Sequence, residues 1–329
     1  MAIPRTYHLV TLGCPKNDVD SEHLERLLTG GELLPVLQPE DADAIIVNTC
    51  GFIEQSQEQS IEAVKTLTAH KREGQTVIVA GCMTQLYGRQ VKEENPAIDH
   101  VFGVGQWQDV ARLLSVDVDA IHDIPESNVK VTGPSAYLKI SDGCDAPCTF
   151  CVIPRIKGGL RSAPAGMLVK EAQRLVAAGA KELVLVGQDT TAWGEDMGMA
   201  VGSGLPGLLE VLGEAVPDTW LRLMYAYPSR VSPQLIETMA RVPNVIPYLD
   251  VPLQHGSEAV LRRMKRPSNV EKVHRFIGDL RAAMPDIVLR TSFIAGFPGG
   301  TEAAFNELRA FAEAIRCDHA GCNTDSRQQ

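Results

Sequence analysis

The sequence predicts an α/β protein in which an N-terminal doubly wound parallel-sheet domain precedes a partial (β/α)6 barrel. Short apolar runs alternate with segments whose apolar residues recur at helical spacing, a pattern typical of βαβ units. This alternation stops near residue 120 and then restarts, which indicates two domains. The 329 residues and 44% hydrophobic content suit two ordinary globular domains.

The first domain is expected to span residues 1–120. Strands and helices are predicted in strict succession there, the strands at Tyr7–Leu12, Ala44–Val47, Thr76–Ala80 and His100–Val104 and the helices at Val19–Leu28, Ile53–Leu67 and Met83–Glu93. Right-handed crossovers place the ends of parallel strands on one edge of the sheet. Residues that directly follow these strands are therefore expected to lie close together.

A polar stretch bounded by Pro and Gly predicts a linker at 121–135, and the alternation then resumes over 136–322. About six β/α units are predicted, with strands at Tyr137–Ile140, Glu182–Val186, Trp220–Tyr225, Val245–Asp250 and Val288–Ile294 and helices at Ala165–Ala178, Leu205–Val216, Pro233–Ala240, Val270–Ala283 and Glu302–Ile315. A last strand beginning near His319 is expected to be clipped, and residues 323–329 are expected to form an unstructured tail.

Composition and charge restrict the class of protein. No apolar run reaches the roughly 18 residues of a membrane span, and the start MAIPRTYHLV lacks the apolar core of a signal peptide, so a cytoplasmic protein without a membrane partner is predicted. The net charge of −10 favours a basic protein partner over naked nucleic acid, although local basic patches exist at Arg155, Lys157 and Arg161.

Eight cysteines in a reducing compartment indicate metal binding or catalysis. Cys144, Cys148 and Cys151 form C-x3-C-x2-C directly after the first strand of the second domain. Three thiolates on one loop can hold three irons of a [4Fe–4S] cubane and leave the fourth iron open, whereas structural zinc requires four ligands. The alternatives are unligated thiols or a zinc site with a distant ligand. Cys317 and Cys322 make only half a site and are interpreted as packed or incidental thiols.

A second trio is dispersed along the first domain. Cys14, Cys50 and Cys82 each fall just past a predicted parallel strand, so they are expected to converge at one sheet edge. The adjacent glycines are expected to let the backbone approach a bulky cofactor: Gly13, Gly51 and Gly81. The alternative is three buried core cysteines. Three equivalent positions favour a second cluster.

The C-x3-C-x2-C loop resembles the signature of radical S-adenosylmethionine enzymes, and both trios together resemble the methylthiotransferases of that group. The resemblance extends from Tyr7 to about Cys322 and is greatest to the RimO type, with LGCPKN and QDT distinguishing it from the transfer-RNA relatives. The stretches that carry the resemblance are LGCPKNDVDSE, VNTCGFI, YLKISDGC, CTFCVIPRIKGGLRS, QDTTAWG, PYLDVPLQH and MKRPS.

The resemblance implies a methylthiotransferase that modifies the β-carbon of an aspartate in small-subunit ribosomal protein twelve, a protein of the decoding centre. It implies two [4Fe–4S] clusters, one on each trio, and S-adenosylmethionine as both methyl donor and source of a 5′-deoxyadenosyl radical. The cluster of the first domain would carry the sulfur that is methylated and transferred. An external electron donor and a sulfur source are implied as partners. No catalytic side chain is assigned beyond the cluster cysteines.

Other residues of the second half are candidates for binding S-adenosylmethionine. Gln188 and Asp189 end a predicted strand and could bind its ribose or amino group, with a solvated polar turn as the alternative. In IAGFPGG, Gly296, Pro298 and Gly299 permit close backbone approach to the cofactor, with a simple turn as the alternative. The family usually has Glu after the Pro-Gly pair, where this chain has Gly.

Two further groups are given mainly structural interpretations. Gln254 and His255 follow a strand and could line the cavity, although a lone histidine is more often structural. A basic group is interpreted as a solvated helix end, with substrate docking as the alternative: Arg262, Arg263, Lys265 and Arg266.

This chain is expected to differ from the family in one respect. Relatives of this type continue into a small β-barrel, the TRAM domain, which is expected to be absent from this chain. Two alternatives to the ribosomal-protein enzyme stay open at this point. One keeps the chemistry and takes an adenosine in transfer RNA as substrate. The other is an inactive, truncated iron–sulfur or zinc protein.

Overall fold

The computed structural model describes residues 4–120, 131 and 133–325, which fall into two compact units. The first unit comprises 4–120 together with Arg155–Lys157, and the second comprises the remaining described residues. The segment Arg155–Lys157 was expected in the second domain and instead groups with the first. Most of the predicted linker, 121–135, lies outside the described residues. Within these residues, no helix is both long and apolar enough to cross a membrane.

A five-stranded parallel sheet forms the first unit. Its strands are β1 (Thr6–Thr11), β2 (Leu34–Pro35), β3 (Ala44–Thr49), β4 (Thr76–Gly81) and β5 (His100–Val101). They lie in the order β2-β1-β3-β4-β5, and every neighbouring pair is parallel. The order reverses between β1 and β3, and doubly wound sheets bind ligands at such a switch point, outside the carboxyl ends of the strands.

Helices cover both faces of this sheet. They are α1 (Pro15–Gly30), α2 (Glu54–Ala69), α3 (Cys82–Glu94) and α4 (Trp107–Leu113). Ile46 of β3 packs with residues of α1 and α4, such as Leu24 and Val110. Its neighbour Val47 packs on the other face with residues of α2 and α3, such as Val64. This alternation follows from the two-residue period of a strand, and it explains why β3 is buried throughout.

The second unit is built on a six-stranded parallel sheet. The strands of the unit are β6 (Ser135–Lys139), β7 (Ser141–Asp142), β8 (Arg161–Ser162), β9 (Glu182–Val186), β10 (Trp220–Leu223), β11 (Val245–Asp250), β12 (Val288–Ala295) and β13 (His319–Thr324). The sheet order β6-β9-β10-β11-β12-β13 follows the chain, as in a barrel wall. The predicted partial (β/α)6 architecture is therefore confirmed.

Helices connect consecutive strands of this sheet. They are α6 (Ala165–Ala177), α7 (Gly204–Ala215), α8 (Pro233–Arg241), α10 (Val270–Ala283) and α11 (Glu302–Ile315), with α9 (Glu258–Arg263) preceding α10 in the same connection. A shorter helix, α5 (Ile153–Lys157), lies between β7 and β8. Three helices begin at a side-chain cap: Ser232, Asn269 and Thr301 each accept a hydrogen bond from a backbone N–H of the first turn. Such caps stabilise a helix start by about 1 kcal/mol, and the predicted starts of these helices agree with the structure to within one residue.

Two predictions about the second unit were wrong. Residues 323 and 324 were expected in the tail, and the last strand was expected to be clipped, but β13 pairs with β12 from His319 to Thr324. An edge strand is held by backbone hydrogen bonds, so its exposed side chains form no apolar pattern from which the end of the strand could be predicted. The short antiparallel pair of β7 and β8 was also missed.

Candidate metal centres

The structure brings the three dispersed cysteines to the carboxyl edge of the first sheet. Cys14 is the N-cap residue of α1, directly beyond β1, and Cys50 follows β3. Cys82 follows β4 as the first residue of α3. Cys14 and Cys50 thus flank the switch point of the sheet. The sulfurs are near enough for Cys50 and Cys14 to act electrostatically on Cys82.

Asn17 connects these strand ends, a role that sequence reasoning missed. Its side-chain amide donates to the carbonyl oxygens of Leu12 (2.8 Å) and Thr49 (3.2 Å). Its Oδ1 lies 3.7 Å from Sγ of Cys82 and accepts a weak hydrogen bond from that thiol. The only sequence signal for this residue was its place in the LGCPKN stretch.

The glycines next to the trio serve close packing of the strand ends. A Cβ at Gly13 would lie 2.7 Å from Cβ of Cys50, and one at Gly51 would lie 2.7 Å from Cα of Met83. One at Gly81 would lie 2.5 Å from Oδ1 of Asn48. Protein atoms therefore occupy the space for which we expected a cofactor at these glycines. The glycines let the cysteine-bearing loops approach one another.

Burial controls the protonation of Cys82. It raises the pKa of this thiol to about 12, and the positive charge of Lys157 acts in the opposite direction. Nζ of Lys157 lies 2.9 Å from Oδ2 of Asp20, and both side chains are buried. Lys157 was counted in a local basic patch with Arg155 and Arg161, but its buried ion pair with Asp20 removes it from that patch. Metal binding at Cys82 must displace a proton.

The donor chemistry of the first site fits a soft metal cofactor. Three thiols approach one another at a ligand-binding edge, and soft thiolates select iron–sulfur clusters, copper or zinc. Oδ1 of Asn48 is buried and finds no hydrogen-bond partner among the described residues. In the part of the chain that the structure describes, no three His, Cys, Asp or Glu side chains are arranged to hold one metal ion. A cubane does not require three side chains to converge on one metal ion, because each cysteine binds its own iron.

Replacing Gly13 by alanine is expected to damage the first site. Gly13 has φ +107, a backbone conformation that costs an L-residue roughly 1–2 kcal/mol of stability. The new methyl group would also lie 2.9 Å from Sγ of Cys50. We expect iron to fall from about eight to about four per chain after anaerobic reconstitution, which leaves one cubane. Gly74→Ala is the matched control, since Gly74 has φ +81 and its added Cβ meets no described atom within 4 Å. Equal iron in both variants would contradict this role of Gly13.

The second trio lies on the loop between β7 and β8. The antiparallel pair closes the base of this loop, and the backbone N–H of Cys144 donates to the carbonyl of Gly158 (3.1 Å). The N–H of Cys151 donates to the carbonyl of Cys148 (3.2 Å). Sγ of Cys144 already accepts a hydrogen bond from the N–H of Ala146 (3.4 Å). The loop thus presents its three thiols from one closed segment after β6.

Burial also raises the pKa values of two thiols in this loop. The pKa of Cys151 rises to about 11, although the Ile153 N–H and the Arg266 guanidinium both lower it. Burial likewise raises the pKa of Cys144, although the N–H of Ala146 lowers it. These thiols, like Cys82, release protons when they bind a metal.

Gln188 lies in a region with unpaired polar atoms. Oε1 of Gln188 and Oγ of Ser141 are both buried and have no hydrogen-bond partner within the described residues. A Cβ at Gly187, the residue before Gln188, would lie 2.6 Å from Oγ of Ser141. The chain after β9 therefore packs closely against β7 there. Buried polar groups are normally paired, since an unpaired one costs roughly 1–3 kcal/mol. This region therefore suits a polar ligand.

Asp189 belongs to an internal network. Its Oδ1 accepts from Oγ1 of Thr191 (2.5 Å), and its Oδ2 accepts from Nη1 of Arg230 (3.1 Å). Arg230 also donates to both carboxylate oxygens of Glu195. Burial raises the pKa of Asp189, and Thr191 and Arg230 counteract that rise. Both carboxylate oxygens of Asp189 are thus engaged, which leaves only their remaining lone pairs for a ligand.

The glycine-rich segment after β12 forms a turn. Gly296 and Gly299 have φ +77 and +79, and the N–H of Gly300 donates to the carbonyl of Phe297 (2.8 Å). The carbonyl of Gly299 accepts from the guanidinium of Arg263, and Pro298 lies within the same turn. An added Cβ at Gly296 would meet no described atom within 4 Å. Backbone approach by a ligand is therefore open at Gly296.

His255 has the structural role that is usual for a lone buried histidine. Its Nδ1 accepts a hydrogen bond from the N–H of Ser257 (2.9 Å). Burial lowers the pKa of His255, and the negative charge of Glu307 acts in the opposite direction. Gln254 has φ +72, and its backbone N–H donates to the carbonyl of Ser292 (2.9 Å). Gln254 thereby fixes the chain after β11.

Comparisons with known proteins agree with this architecture. The model of the Radical SAM superfamily matches residues 138–312, and that of the uncharacterized protein family UPF0004 matches residues 6–103. The ribosomal protein uS12 methylthiotransferase RimO of Roseiflexus sp. is 41% identical over 98% of this chain and 75% of its own length. That of Chloroflexus aurantiacus is 43% identical over 98% of this chain and 76% of its own length.

Solved structures match at the level of the fold. The radical S-adenosylmethionine methyltransferase TsrM from Kitasatospora setae aligns with a TM-score of 0.69 at 15% identity, over 97% of this chain and 75% of that one. The cobalamin-dependent enzyme OxsB aligns with a TM-score of 0.67 at 15% identity, over 95% of this chain and 52% of that one. Both support the assignment of the fold.

Proposed function

Because this chain belongs to the radical S-adenosylmethionine superfamily and, within it, to the RimO family of methylthiotransferases, we propose that it attaches a methylthio group to the β-carbon of an aspartate in ribosomal protein uS12. Membership makes the chain a radical methylthiotransferase that uses S-adenosylmethionine and a [4Fe–4S] cluster. The substrate protein, the modified aspartate and a second cluster are the proposed part. A ribosomal substrate also implies a cytoplasmic reaction.

One observation carries the proposal: Cys14, Cys50 and Cys82 all lie at the carboxyl edge of one sheet, with Cys14 and Cys50 on either side of its switch point. A radical enzyme that only cleaves S-adenosylmethionine needs a single cluster, on Cys144, Cys148 and Cys151. Transfer of a sulfur atom requires a further group that holds it. Three thiols in a separate unit, each following a parallel strand, provide such a place.

The residues of the second unit would bind and orient S-adenosylmethionine. Cys144, Cys148 and Cys151 would hold a [4Fe–4S] cluster, which would supply the electron for cleavage of the sulfonium of S-adenosylmethionine. Gln188 and Ser141 offer buried polar atoms for the ribose or amino group. Gly296, Pro298 and Gly299 offer close backbone approach. Asp189 would contribute mainly by holding Arg230 (3.1 Å).

The remaining partners follow from the chemistry. The electron must come from an external donor, and each turnover consumes one sulfur atom that an external source must replace. One molecule of S-adenosylmethionine would supply the methyl group, and another would supply the radical that takes up the hydrogen of the substrate carbon and leaves as 5′-deoxyadenosine. The net change at that carbon is replacement of one hydrogen by one methylthio group.

Modification of purified substrates tests the proposal. The chain, reconstituted with iron and sulfide under anaerobic conditions, is given S-adenosylmethionine, a reductant, and either ribosomal protein uS12 or transfer RNA. We expect uS12 to gain the mass of one methylthio group in place of one hydrogen, located on an aspartate by fragmentation, and the RNA to stay unmodified. A methylthio group on RNA alone would replace the proposed substrate with an adenosine. Modification of neither substrate would favour the inactive protein.

A further inference from the structure

Arg266 differs from the basic residues that precede it. Arg262 is exposed and pairs with Glu258 one helical turn away (3.4 Å). Arg266 instead directs Nη1 towards Sγ of Cys148, at 3.7 Å. Its Nη2 donates to the carbonyl oxygen of Pro252, at 2.5 Å. Our interpretation of Arg266 as part of a solvated helix end was therefore wrong, and its guanidinium is fixed between a backbone carbonyl and a cluster cysteine.

Tyr227 completes this arrangement. The guanidinium carbon of Arg266 lies 4.1 Å from the centre of the Tyr227 ring, within the range of a cation–π contact. The backbone N–H of Tyr227 donates to Oγ1 of Thr191 (3.0 Å), which holds the ring in place. The Tyr227 ring therefore packs against the guanidinium that donates to the sulfur of Cys148.

The third nitrogen of the guanidinium, Nε, also indicates a site for a negatively charged group. Nε of Arg266 is buried and has no acceptor among the residues that the structure describes. A buried charged donor without an acceptor is costly. It is compatible with a site that takes up a negatively charged group.

We propose that Arg266 is a positioning residue that donates a hydrogen bond to the sulfur of Cys148 and raises the reduction potential of the cluster on Cys144, Cys148 and Cys151. The inference rests on the proposed function only in placing a cluster on this trio. Reduction adds one negative charge to the cluster. A fixed positive charge and N–H···S bonds stabilise that state, and hydrogen bonds to sulfur are an established influence on cluster potentials.

The test is a potentiometric titration followed by electron paramagnetic resonance. It uses the full chain with Cys14→Ala, Cys50→Ala and Cys82→Ala, so that one cluster gives the signal. In this parent chain we compare Arg266→Met, which keeps an apolar side chain of similar reach, with Arg262→Met, a control in the same basic stretch. At the midpoint of the parent, Arg266→Met is expected to lower the ratio of reduced to oxidised cluster at least tenfold, about 59 mV for one electron. Arg262→Met is expected to leave it unchanged.

Each other outcome is also decisive. Equal midpoints in the two variants would overturn the proposal and leave the proposed function intact. If Arg266→Met binds no iron, Arg266→Gln takes its place, since it keeps a donor without the charge. A lowered midpoint in Arg266→Gln supports the inference, and an unshifted one overturns it. A parent chain without a cluster on this trio would overturn the inference together with the proposed function.

Discussion

Replacement of Cys148 by alanine is expected to abolish both 5′-deoxyadenosine formation and methylthio transfer. The loop between β7 and β8 supplies only three thiols, and a cubane that loses one of three protein ligands is not retained. Removal of residues that merely support a metal ligand costs 10–100-fold in affinity or activity, so loss of a ligand itself is expected to exceed about 100-fold. Cys148 also receives the hydrogen bond from Arg266 (3.7 Å). Chromatography of deoxyadenosine under reducing conditions measures the effect.

Cys322→Ala is the control for this experiment. Cys322 is an exposed thiol of the same unit, on β13, and it lies outside both trios. Its variant is expected to form deoxyadenosine at the parental rate. Deoxyadenosine at a comparable rate in Cys148→Ala would show that the C-x3-C-x2-C loop does not hold the radical-generating cluster. It would remove the basis of the proposed mechanism.

The fold could be predicted because most of its elements are buried on a regular period. β3 and β4 are buried at every residue, so their apolar runs are visible in the sequence. Where burial does not select apolar side chains, the sequence pattern missed an element or the extent of one. β7 and β8 are two residues each, and β13 is exposed along its length. Elements of this kind are held by backbone hydrogen bonds, which any sequence can form.

The cysteines could be located from the sequence, but their surroundings could not. The position of a cysteine directly after a parallel strand is a local property, and topology then determines the edge at which it lies. The contacts of Arg266 with Cys148 and of Lys157 with Asp20 join residues that are 118 and 137 positions apart. No periodicity encodes which member of a basic stretch turns inward. Arg262 and Arg266 look alike in the sequence, and only the fold distinguishes them.

Replacement of Cys82 by alanine is expected to separate the two chemical steps. The variant should lose methylthio transfer to uS12 and still form 5′-deoxyadenosine, because Cys144, Cys148 and Cys151 are unchanged. Iron should fall from about eight to about four per chain, the content of one cubane. Cys82 is only 7% exposed, but alanine differs from cysteine by one sulfur atom. The fold is therefore expected to tolerate the change, and iron analysis and mass spectrometry of uS12 measure the two effects.

Cys317→Ala distinguishes loss of a cluster ligand from loss of another partly buried thiol. Burial raises the pKa of Cys317 to about 11, as it raises that of Cys82, yet Cys317 follows α11 and belongs to neither trio. Its variant should keep about eight irons and full transfer activity. If Cys82→Ala also kept eight irons, Cys14, Cys50 and Cys82 would be core cysteines without a cofactor. The sulfur that reaches uS12 would then have to come from elsewhere in the reaction mixture.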